Sequence, residues 1–169
     1  MSLMNEMIDN VKKLVKEKQF SEAIIQAESL FGYQVCDYNL FMFTANAYLQ
    51  TEKYEKCYEM LKKGIDMKPE NRTGYVGILK LYTDKHISGN EEIRKYVEKL
   101  VNLDSKDPLK IEAYERTLKN LYIELQDFDS LSQIIDKDPM IVKELFKGNF
   151  LSKMSKDFFV TCIKKRGLL

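Results

Sequence analysis

Few side chains in this sequence could do acid–base or covalent chemistry, and their spacing gives them little to work with. His86 is the single histidine. It falls in Lys85-His86-Ile87-Ser88-Gly89-Asn90, a polar stretch that reads as an exposed turn. No local sequence brings a nucleophile or carboxylate beside it, as catalysis by a histidine requires. Cys36, Cys57 and Cys162 are far apart and have no histidine cluster to join them, so neither a zinc-ligand spacing nor a disulfide framework is present. Glycine-rich phosphate loops, a G-x-S-x-G elbow and an H-E-x-x-H helix are missing as well. Carboxylates are numerous, but they alternate with lysines, as in Glu52-Lys53-Tyr54-Glu55-Lys56, the pattern of a solvated helix face. Ten tyrosines and nine phenylalanines could stack bases only beside a basic groove. The one basic cluster, Lys164-Lys165-Arg166, closes a predicted helix, where cations suit the dipole. The expectation is a protein with no catalytic residues, no metal site, no cofactor, no small-molecule substrate and no nucleic-acid partner.

Composition agrees. A chain of 169 residues fits one domain and can bury a sizeable core. Hydrophobic residues make up 44% and charged residues 31%, which argues against a disordered chain. Lys and Arg number 27 against 26 Asp and Glu, so no overall field draws the protein to nucleic acid or lipid. No apolar run approaches the roughly 20 residues that span a bilayer. The N-terminus has no apolar core of a signal peptide. Unpaired thiols suit a reducing compartment. These features predict a soluble cytoplasmic or nuclear protein with no membrane partner.

The elements that would position any functional side chain are helices. Asn39–Asn71 reads as two short amphipathic helices joined by a tight turn and closed by Pro69. Phe41, Ala45 and Tyr48 share one face of the first; Tyr54, Cys57, Leu61 and Gly64 share a face of the second. Two helices this short cannot bury their faces alone, so the pattern predicts stacked neighbours. Before them, Met7, Val11 and Leu14 form one inner face and Ala23, Ala27 and Leu30 the next, with Gly32 as a stop signal. Phe20 and Tyr54, Ala23 and Cys57, Leu14 and Tyr48, and Tyr48 and Tyr82 are each 34 residues apart. Tyr75, Ile78, Leu79 and Tyr82 mark a third first helix. A lengthened turn follows, with Asn90 as N-cap and Ile93, Val97 and Leu100 on a helix shifted by about two residues from the step. Asp104-Ser105-Lys106-Asp107-Pro108 breaks the chain before a longer helix, Leu109–Leu125, carrying Ile111, Tyr114, Leu118, Leu121 and Tyr122. Leu131, Ile134 and Ile135 begin a short helix ended by Asp138-Pro139. Further helices over Met140–Lys147 and Ser155–Arg166 would seal the end of the stack.

The step and its residue types resemble the tetratricopeptide repeat (TPR), whose period is about 34 residues. Phe41, Ala45, Tyr48, Tyr54, Cys57, Leu61, Gly64 and Pro69 stand at its signature positions. Thr44 replaces a preferred Leu, Glu52 a common turn Gly, Asn10 a Leu, and Val35 the closing Pro. Tyr75–Tyr82 with the lengthened turn after it is similar to the N-terminal region of the TPR scaffold subunit of the superkiller (Ski) RNA-helicase complex. The resemblance implies an all-α, right-handed superhelix of antiparallel helix pairs with C-terminal capping helices. Its repeats would cover about 4–37, 38–71, 72–107 and 108–139, with caps at 140–169, in a single domain spanning 1–169.

In that family the first helices of successive repeats line a concave groove that holds a partner's peptide or helix. Carried over by position, the groove residues are Ile8, Lys12 and Val15, then Asn39, Met42, Phe43 and Asn46, then Thr73, Val76 and Lys80. Ile8, Met42 and Gly77 stand where a carboxylate-clamping groove would be basic, so a clamp on an acidic C-terminus is not expected. The apolar centre, Met42, Phe43 and Val76, suits an apolar or amphipathic segment. The expected function is a non-enzymatic interaction module or adaptor. The alternative is a structural scaffold or self-associating subunit whose groove is filled by its own side chains.

Overall fold

The computed structural model describes residues 3–125, 127, 129–131, 133 and 164, and among these every regular element is an α-helix. In chain order they are α1 (Leu3–Lys16), α2 (Phe20–Gly32), α3 (Tyr38–Gln50), α4 (Tyr54–Met67), α5 (Arg72–Thr83), α6 (Glu91–Leu103) and α7 (Pro108–Glu124). The expected short helix after α7 lies mostly outside the described residues, although Asp129, Ser130 and Leu131 are helical. The expected capping helices over 140–169 lie outside them, apart from Lys164. The chain divides into two compact units, one ending at Ser88 and the other beginning at Gly89.

In the first unit the sequence step is a step in the backbone. α2 and α4 begin at Phe20 and Tyr54, α3 and α5 at Tyr38 and Arg72, each pair 34 residues apart. The N-caps of α3 and α5 keep the same step. Asp37 Oδ1 accepts from the Leu40 N–H at 2.9 Å and Asn71 Oδ1 from the Thr73 N–H at 3.0 Å, each satisfying an amide the helix leaves open. Four helix ends use one device. Lys18, Gln34, Glu52 and Lys85 take φ of 61°, 61°, 58° and 63°. The next residue's N–H then reaches back five positions: Gln19 to Leu14 O, Val35 to Leu30 O, Lys53 to Tyr48 O and His86 to Leu81 O, at 2.9 to 3.1 Å. This is the Schellman closure, which satisfies carbonyls at the helix end.

Two departures from the repeat pattern thereby find a cause. Glu52 holds the left-handed position that favours Gly. Val35 supplies an N–H that proline could not. Gly32, expected to stop α2, lies inside the helix as its last residue, and the left-handed turn comes two residues later at Gln34.

α3 packs against α1, α2 and α4, and α5 packs against α4. Leu40, Thr44 and Ala47 are wholly excluded from water. Thr44, where the repeat prefers Leu, stays satisfied because its hydroxyl donates to Leu40 O at 2.7 Å. One step on, the matching residues of α5 are Gly74, Ile78 and Leu81, all buried. One step back, those of α1 are Glu6, Asn10 and Lys13, all exposed. The remaining departure, Asn10, belongs to this polar face and donates to Gln26 Oε1 at 2.7 Å. α5 approaches α4 through glycines. A Cβ on Gly74 would lie 2.7 Å from Ile65 Cγ1 and 3.3 Å from Leu61 O, and one on Gly77 would lie 2.8 Å from Leu61 Cδ2.

In the second unit α6 packs on α7. Asn90 caps α6, its Oδ1 accepting from the Ile93 N–H at 2.9 Å, and Glu91 and Glu92 occupy the favourable first turn. Ile93, Val97 and Leu100 are buried, as are Tyr114, Leu118 and Leu121 of α7. Arg94 pairs with Glu91, with Glu98 at 3.6 Å and with Asp127 at 3.1 Å, tying α6 to the turn beyond α7. α6 begins 37 residues after α4, three later than the step and one more than the sequence pattern suggests. The expected third pair, α5 with α6, straddles the division between the units.

Gly74→Val should destabilise the protein by about 1–3 kcal/mol through overpacking against Ile65. An unchanged melting temperature would refute the close approach of α4 and α5. Glu52→Gly should raise stability by up to about 1 kcal/mol, the left-handed strain relieved less the added chain entropy of glycine. Glu52→Val should lower it, and the same thermal melt reads both.

Candidate partner-binding surface

The ten expected groove residues all belong to the first unit. Asn39, Asn46, Thr73 and Lys80 are exposed, and Val76 is 37% exposed. Ile8, Lys12, Met42 and Phe43 are half-buried. Val15 is only 8% exposed and belongs to the core. With Val11 it makes the buried stripe of α1, in place of the expected Met7 and Leu14: Met7 is exposed and Leu14 half-buried.

Some of these residues are brought together. The Lys12 ammonium lies 5.9 Å from the centroid of the Phe43 ring, joining α1 to α3 on one face by a cation–π contact worth about 0.5–1 kcal/mol at an exposed site. Met42 turns toward α4: a Cβ on Gly64 would collide with its Cε and lie 3.7 Å from the Tyr38 ring. Thr73, Val76 and Lys80 sit on α5, whose packing within this unit is on α4.

Lysine ammonium groups resting on aromatic rings recur across this unit. Lys63 lies 5.9 and 5.8 Å from the centroids of Phe31 and Phe41, which stack on each other at 5.3 Å. Lys68 lies 4.5 Å from the Tyr38 ring, and Lys56 5.4 Å from that of Tyr48. The Tyr38 hydroxyl is buried with no hydrogen-bond partner among the described residues.

Glu28 joins three helices. Its Oε1 accepts from the Tyr48 hydroxyl at 2.7 Å and from Lys56 Nζ at 3.1 Å. The Tyr48 hydrogen bond, then the Lys56 ammonium, hold the Glu28 carboxyl below its ordinary range. Burial, then the Glu28 hydrogen bond, raise the Tyr48 phenol in return. The sequence pattern left this network unseen, because Glu28 and Lys56 look like ordinary exposed charges until α2 and α4 flank α3.

His86 is half-buried, with its ring stacked on Tyr54 at 3.7 Å and 10°. The expected exposed turn residue is a packing contact between the end of α5 and the start of α4. Burial pushes the Cys57 thiol up to about 11, a poor nucleophile in a small-residue packing position, while Cys36 is exposed. Among the described residues no group of His, Cys, Asp and Glu could hold a metal ion. Among them, too, no helix is long and apolar enough to cross a membrane. What this unit offers is shape, lysine-capped rings and exposed amides.

Comparison with protein-family models gives no match, and comparison with curated protein sequences gives none either.

Tyr48→Phe should destabilise the protein by about 1 kcal/mol or less, since Glu28 is half-exposed and water screens the interaction. Because the folded state lowers the Glu28 carboxyl, this contribution is present above the ordinary carboxylate range and fades as pH falls through the lowered one. The difference between the urea midpoints of the two proteins should therefore be smaller at pH 3 than at pH 7. In native protein an alkylating reagent should label Cys36 promptly and Cys57 only as fast as the fold opens; equal labelling would contradict the burial of Cys57.

Proposed function

We propose that this chain is a non-enzymatic interaction module of TPR-like build, a right-handed superhelix whose first helices hold a peptide or helix from a partner protein. The observation that supports it most is the repeated backbone step. α2 and α4, and α3 and α5, start 34 residues apart with matching N-caps or turns, and Lys12 over Phe43 sets α1 and α3 side by side on a shared face. On that reading Ile8, Lys12, Phe43 and Asn46 lie across adjacent first helices. Asn39 and Asn46 offer exposed amides that can bond a partner's backbone, and Phe43 and Val76 offer apolar anchorage.

A scaffold role for the whole chain draws support from a separate observation. Val15 is core, Met42 turns onto Gly64, and Phe43 is covered in part by Lys12. Side chains of this unit fill part of the expected groove themselves, and in that case the outer surfaces would make the contacts of an assembly.

Capture from extracts of the source cell, read by mass spectrometry, separates the two. Asn46→Glu and Val76→Glu alter exposed residues and should shift stability by no more than about 0.5 kcal/mol. If the groove is the site, each should weaken capture at least tenfold, about 1.4 kcal/mol of binding, with melting nearly unchanged. Recovery of the same partners at wild-type levels by both variants would overturn the groove reading.

A further inference from the structure

We draw no further inference here: the strongest candidate, the apolar strip of Leu3, Met4 and Met7 on the first turns of α1, is an exposed helix face, and nothing in the structure shows what covers it.

Discussion

The burial of α3 among α1, α2 and α4 is the contact on which the first unit depends. α3 has 13 residues, and seven of them, Tyr38, Leu40, Phe41, Thr44, Ala45, Ala47 and Tyr48, are buried. They fill one continuous half of the helix, a wider face than a single neighbouring helix covers. A helix this short is marginal in water by itself, and a buried face this broad needs more than one neighbour to cover it. Fully burying a residue such as Leu40 contributes about 1.5–3 kcal/mol relative to exposure, so the cover supplies what propensity cannot. The flanking helices show the complementary economy. α1 buries only Val11 and Val15, and its Glu6, Asn10 and Lys13 face water where α3 and α5 bury their equivalents.

Packed helices must stop at the right residue, and α1, α2, α3 and α5 are stopped by left-handed residues that are not glycine. Lys18, Gln34, Glu52 and Lys85 each accept a conformation costing about 1–2 kcal/mol for a side chain with a Cβ. The closing hydrogen bonds and the burial of Leu30, Tyr48 and Leu81 on the helix side of these turns hold them in place. The glycines are used elsewhere. Gly74 and Gly77, one turn apart on α5, remove the side chains that would keep α5 away from Leu61 and Ile65. Close approach, rather than freedom at a turn, is the reason these positions lack a Cβ.

Electrostatics on the first unit are short-ranged and local. The chain is nearly neutral overall, and several ammonium groups lie against rings: Lys12 on Phe43, Lys63 on Phe31 and Phe41, Lys68 on Tyr38. The long alkyl stems can cover apolar surface while the charge stays at its edge. The aromatic residues therefore serve packing first, and the surface they leave is a mixture of capped rings and exposed amides. On the proposed binding role, such a surface would recognise by shape and hydrogen bonding rather than by long-range steering.

Much of the local structure was legible in the residues themselves. Apolar spacing, the cap at Asn90, and the 34-residue recurrence of Phe20 and Tyr54 depend only on near neighbours and fixed helical geometry, so the chain alone determines them. Other features are decided by how helices meet, which no local pattern encodes. Gly32 carries the composition of a stop signal, yet α2 runs through it and the left-handed turn comes at Gln34, where the Val35 N–H closes onto the carbonyl of the buried Leu30. Val15 and Met42 hold positions that repeat geometry assigns to a groove, yet α1 buries the first and Gly64 draws in the second. His86 looks like a loose turn residue until the end of α5 meets the start of α4. The sequence by itself determined where the helices lie and which faces are apolar, because those follow from neighbours a few residues away. Only the tertiary structure decided which exposed-looking side chains become contacts, because that depends on distances between residues 20 to 40 positions apart, such as Lys12 and Phe43 or Glu28 and Lys56.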